Sequence, residues 1–178
     1  MTIEELETVL SKYNIIKVSK QETGLESKSI PSMLSTFRCL IINNIPPTQE
    51  EFINKFKEQF GDLKGNISRL KKAYLSFIRE YHLGYLLRKY FTNVVYDEQL
   101  DILGIDYIIY YNGLVYNIHA YVGTENGKYW RKIKNGRHNF TGTHIDLPIN
   151  LNDGKRVGKF ILYDESYIEK LKVMMSPK

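Results

Sequence analysis

Residues 104–124 read GIDYIIYYNGLVYNIHAYVGT, two β-rich runs on either side of Asn112-Gly113. Asn-Gly between such runs is the strongest short hairpin signal, because both turn residues must take positive φ in a type I′ turn. With 112 and 113 as the two loop residues, facing positions sum to 225, so Tyr111 opposes Leu114, Ile108 opposes Asn117, and Asp106 opposes His119. Opposed residues have Cβ atoms roughly 5 Å apart. Alternation then puts Asp106, Ile108, Asn117, His119 and Tyr121 on one face, and Tyr107, Ile109, Tyr116 and Ile118 on the other. An otherwise apolar hairpin therefore gathers an acid, an amide and an imidazole in one patch.

The hairpin sits in a run of period-two segments that begins after Asn93. Strands are expected at 94–98, 105–111, 114–122, 144–151 and 157–163, followed by a closing helix at 165–173. Pro148 cannot donate to a ladder, which places its strand at a sheet edge. Upstream the period is helical. Residues 3–13 form a short helix, 19–29 are polar enough for a loop, and PSMLSTFRCLIIN (31–43) is a second helix with Pro31 at its first position. Thr48-x-x-Glu51 is a capping box ahead of Phe52, Phe56 and Phe60, in a helix that should end at Gly61. The longest helix covers 68–91, where Leu70, Tyr74, Phe77, Ile78, Tyr81, Tyr85 and Leu86 keep the 3.6-residue period. Helices first and strands afterwards make the class α+β, a mixed or antiparallel sheet backed by helices.

The 178 residues, 43% of them hydrophobic, suffice for one core and are few for two, so the expectation is a single domain over 1–178. Cys39 is the only cysteine, which excludes an internal disulfide and a thiolate metal cage. The N-terminus lacks a basic start followed by an apolar core, and no apolar run approaches the roughly 18 residues a bilayer requires. A cytoplasmic protein with no membrane partner is expected. Lys and Arg number 25 against 20 Asp and Glu, and residues 119–159 contain that whole surplus, eight cations against Glu125, Asp146 and Asp153. Such a zone fits a polyanion such as nucleic acid, although a solvated lysine face is the commoner origin of one.

Two further features carry chemistry. Glu80 lies among Ala73, Phe77, Gly84, Leu87 and Phe91 on the helical wheel, so its carboxylate points at or near the buried side. An unpaired buried carboxylate costs several kcal/mol, so Glu80 needs either a cation such as Arg79 or a functional partner. Directly after the hairpin, GTENGKYWRKIKNGRHNF (123–140) supplies Lys128, Arg131, Lys132, Lys134, Arg137 and His138 around Tyr129 and Trp130. Cations of this kind neutralise phosphates, and Trp130 is either a stacking platform for a base or an ordinary core residue. The four histidines have no zinc-motif spacing, and no glycine-rich phosphate loop is present.

Glu80 on a helix, Gly104-Ile105-Asp106 on a strand, and Asn117-Ile118-His119 on the next strand resemble the core of the PD-(D/E)xK nuclease superfamily. This is the restriction-endonuclease-like fold, and the resemblance covers roughly residues 70–163. It implies a helical N-terminal addition over 1–67 and a nuclease-like core over 68–178. In that family a helix often carries Glu, a strand carries Asp, and the next strand carries acid-x-Lys. Two carboxylates hold Mg²⁺ against the scissile phosphate while the Lys stabilises charge or helps to activate water. The resemblance implies Mg²⁺ on Asp106 and Glu80, and DNA held by Lys128, Trp130, Arg131, Lys132, Lys134, Arg137 and His138. Asn117 stands where a carboxylate is expected and His119 where Lys is expected. His119 with Asp106 opposite is either an acid–base pair, since imidazole titrates near neutrality, or a structural cross-strand pair. Two other functions fit the same residues. One is a non-catalytic phage or mobile-element module, of defence or anti-defence type, that binds nucleic acid or a nucleic-acid-processing complex. The other is a metal-independent ribonuclease using His119, Arg131, Arg137 and His138.

Overall fold

Asn112 and Gly113 both take positive φ, 49° and 75°, in a computed structural model that describes residues 1–19, 32–61, 67–102, 104–125, 127–129 and 141–176. The turn joins β2 (Tyr107–Tyr111) to β3 (Leu114–Val122) in the expected register, with Tyr111 against Leu114 and Ile108 against Asn117. β1 (Asn93–Val95) pairs antiparallel with β2, and β4 (Thr143–Ile149) pairs parallel with β3. The sheet order is β1-β2-β3-β4, which leaves Pro148 on an edge strand as anticipated. A parallel neighbour requires a crossover between β3 and β4. One sheet face is buried, with Tyr107, Ile109, Tyr116, Ile118, Ala120, Ile145, Leu147 and Ile149. The class is α+β with a mixed four-stranded sheet.

Gly113→Ala tests the turn. The added Cβ would meet nothing within 4 Å, so its cost is the left-handed backbone alone, about 1–2 kcal/mol. Urea denaturation should show that loss, and unchanged stability would mean that the turn tolerates another conformation.

The contacts divide the chain into two compact units. The first comprises Met1–Ile78 with Val157–Phe160. Its α1 (Ile3–Ser11) and α3 (Gln49–Phe60) both begin with complete capping boxes, Thr2 with Glu5 and Thr48 with Glu51. Helix α3 stops at Gly61, whose φ is 81°. Phe52 and Phe56 are buried with Phe37 and Tyr74. Phe60 does not join them: it is 41% exposed, with a 4.7 Å ring contact to Phe56. Eight residues along a helix rotate the side chain about 80° away from Phe52, enough to leave the buried stripe. Helix α2 (Met33–Cys39) is shorter than the 31–43 expected, with Ser32 at its N-cap. It ends early because Asn43 and Asn44 both adopt positive φ, 51° and 64°, folding Ile42 back onto Ile45. Asparagine is among the few residues that enter that region at low cost. Pro31 and nearly all of the expected 19–29 loop lie outside the described residues.

The second unit comprises Arg79–Arg156 with Ile161–Lys178. Helix α4 (Ile67–Tyr90) contributes its C-terminal half to it, together with the four-stranded sheet. A short helix α5 (Glu98–Ile102), absent from the sequence-based expectation, is capped by Asp97, whose Oδ1 accepts from the N–H groups of Gln99 and Leu100. The closing helix α6 (Glu165–Met175) starts at Asp164, which accepts from the Ser166 N–H. The single strand expected at 157–163 is instead two, β5 (Lys155–Val157) and β6 (Phe160–Leu162), because Gly158 takes a positive φ of 56° and turns the chain between them.

Candidate metal centre

Asp106 is fastened to β3 in two ways. It stands one residue ahead of β2, and its N–H donates to the Ile118 carbonyl at 2.9 Å, so pairing continues past the strand's end. Its Oδ2 accepts from the Ala120 N–H at 2.5 Å. The same oxygen lies 3.3 Å from His119 Nδ1, an electrostatic contact without hydrogen-bond geometry. The facing of Asp106 and His119 thus follows the hairpin arithmetic. The His119 ring lies nearly parallel to that of Tyr121, with centroids 5.6 Å apart.

The helix then supplies Glu80, half-buried, and α5 supplies Asp101, only 6% exposed. Each of Glu80, Asp101 and Asp106 offers a carboxylate oxygen, and these oxygens all lie within 4.8 Å of one another. Carboxylates this close disfavour one another's charge, and either a bound cation or a retained proton relieves that. Oxygens bound to one Ca²⁺ stand at most about 5 Å apart, and those bound to one Mg²⁺ at most about 4.2 Å. Oxygens no more than 4.8 Å apart therefore fit a hard divalent cation of the larger kind, whereas Mg²⁺ requires them within about 4.2 Å. Glu80 and Asp106 were legible as acids in the sequence. Asp101 was not: Asp97 ahead of Glu98 is a helix-start signal, which marks the helix but not the neighbour that Asp101 meets.

Neighbouring groups respond to this charge. Burial, followed by the charges of Asp106 and Glu80, pushes the Tyr163 phenol well above its ordinary pKa. It stays neutral and donates to the Leu147 carbonyl at 2.9 Å. Burial lowers the Arg79 guanidinium, while Tyr163 and Glu80 act in the opposite direction. Its Nε donates to the Ile161 carbonyl at 3.0 Å, so part of this cation serves the backbone rather than Glu80 alone.

Asn117 serves the backbone in this structure. It is 2% exposed, and its Nδ2 donates to the Thr141 carbonyl at 3.0 Å, tying β3 to the end of the crossover. The parallel register adds a neighbour that sequence pairing could not supply: Asp146 stands beside His119 on the side away from Asp106.

Of the basic segment, Lys128 is exposed and held by Glu125 at 2.7 Å, and that hydrogen bond raises its pKa. Trp130, Arg131, Lys132, Lys134, Arg137 and His138 lie outside the described residues. No known protein family, curated protein or solved structure matches this chain. Among the described residues, no helix is long and apolar enough to cross a membrane.

Proposed function

We propose that this protein is a DNA-binding, nuclease-like protein with a restriction-endonuclease-like core, which hydrolyses phosphodiesters at a divalent metal held by Glu80, Asp101 and Asp106. The observation that carries this reading is the convergence of those carboxylates from a helix, a short helix and a strand, with His119 against Asp106. A bound Mg²⁺ would neutralise charge on the scissile phosphate and lower the pKa of an attacking water. Asp106 holds the Nδ1 side of His119, which leaves Nε2 as the nitrogen available to the substrate. From there His119 takes a proton from water or contacts the phosphate, the work of the Lys that the resemblance leads one to expect. The basic 128–138 segment would hold the DNA backbone through charge.

A second reading is favoured by Asn117. Its amide is neutral and committed to Thr141, so the acid-x-Lys element is incomplete, and the protein then acts by occupying nucleic acid or a nucleic-acid-processing complex. Cleavage of labelled duplex DNA, single-stranded DNA and RNA, each with Mg²⁺, Mn²⁺ or EDTA, separates the two. Divalent-dependent DNA cleavage should fall at least about 100-fold in His119→Ala. DNA binding with no cleavage in any metal would favour the second reading, and EDTA-resistant cleavage of RNA would remove the metal from the mechanism.

A further inference from the structure

The spacing of Glu80 and Asp106 depends on how the helix meets the strand, and Tyr107 reaches across that junction. Tyr107 follows Asp106 directly, and its hydroxyl donates to the backbone carbonyl of Glu80 at 2.9 Å. The ring is 2% exposed and lies against α4 one turn beyond Glu80, at Gly84. A Cβ on Gly84 would stand 2.3 Å from the Tyr107 hydroxyl oxygen and 2.7 Å from Cζ, closer than atoms can approach. The ring is further confined by Tyr96 at 5.9 Å and by the Arg88 guanidinium at 5.9 Å. The tyrosine thus binds the main chain of one acid from the residue adjoining the other, and it fits only because position 84 lacks a side chain.

We infer that Tyr107, seated on Gly84, is the positioning residue that sets the Glu80–Asp106 separation and so the affinity of the site for a divalent cation. This role rests on the metal-centre reading. A span of up to 4.8 Å is already near the limit for one hard ion, so a small shift of the helix against β2 moves the oxygens out of common reach. Groups that orient ligands in this way typically govern metal affinity by about 10- to 100-fold.

The test is calorimetric titration of Mn²⁺ into the full chain, with melting temperatures recorded alongside. Tyr107→Phe should weaken Mn²⁺ binding about tenfold. Tyr116→Phe is the control, because it removes a hydroxyl bond of equal length, 2.9 Å to the Met175 carbonyl, from the same face of the neighbouring strand. It should lower the melting temperature comparably and leave Mn²⁺ affinity within about twofold, well below the change expected for an orienting group. Gly84→Ala should weaken binding at least as much as Tyr107→Phe. If the unaltered protein binds Mn²⁺ and Tyr107→Phe binds it equally well, the positioning role is overturned and the metal centre stands. If the unaltered protein does not bind Mn²⁺, the metal centre falls and this role falls with it.

Discussion

Asp106→Ala is expected to eliminate divalent-dependent cleavage, a loss of about a thousandfold or more. A metal ligand at a phosphoryl centre supplies several kcal/mol of transition-state stabilisation, and each 1.36 kcal/mol is a factor of ten in rate. The same substitution has a separable effect on the fold. Asp106 Oδ2 is the acceptor for the buried Ala120 N–H, and leaving such a donor unmet costs about 1–3 kcal/mol. Relief of repulsion with Glu80 and Asp101 offsets part of that cost, so the net destabilisation should fall below it. Asp106→Asn distinguishes the two contributions. An amide oxygen still accepts from Ala120, so stability should be largely retained, while the loss of charge should remove Mn²⁺ binding almost as completely as Ala does. Cleavage rates, Mn²⁺ titration and urea denaturation on the three proteins provide the comparison. Undiminished cleavage by Asp106→Ala would end the claim that this carboxylate takes part in the chemistry.

The largest effect on stability should come from Phe52→Ala, about 3–5 kcal/mol. Phe52 is completely buried, with ring centroids 6.2 Å from Phe37, 6.0 Å from Tyr74 and 6.0 Å from Phe77. Its removal opens a cavity among rings that approach from several directions and cannot all move into it. Against a total margin of 5–15 kcal/mol for an ordinary domain, that is a large fraction. Phe60→Ala, two helical turns on, should cost about 1 kcal/mol or less, because the side chain is 41% exposed. Thermal unfolding of both variants checks the contrast, and equal losses would mean that the Phe56–Phe60 contact matters more than burial. Hydrogen exchange should locate the weakening in α2 and α3.

What the chain determines by itself is what its local chemistry can enforce. Asn112-Gly113 admits one kind of turn, and side chains alternate strictly along a strand, so the facing of Asp106 and His119 follows from counting residues. Thr48 and Glu51 satisfy each other's orphan donors within one turn, so the start of α3 is equally readable. The 3.6-residue period placed Glu80 at or near the buried side of its helix for the same reason. None of these signals reaches across the chain. That Asp101 joins Glu80 and Asp106 depends on a helical turn of five residues, too short to show a period, and on packing between segments distant in sequence. That β4 runs parallel to β3 and sets Asp146 beside His119 depends on a crossover, which leaves no periodic trace in the strands it connects. The amide of Asn117 reads in sequence as a defective metal ligand; its bond to Thr141 exists only once β4 is in place. Local turn chemistry and periodicity decided the hairpin and its polar pair, whereas long-range packing of buried groups decided which carboxylates share one site.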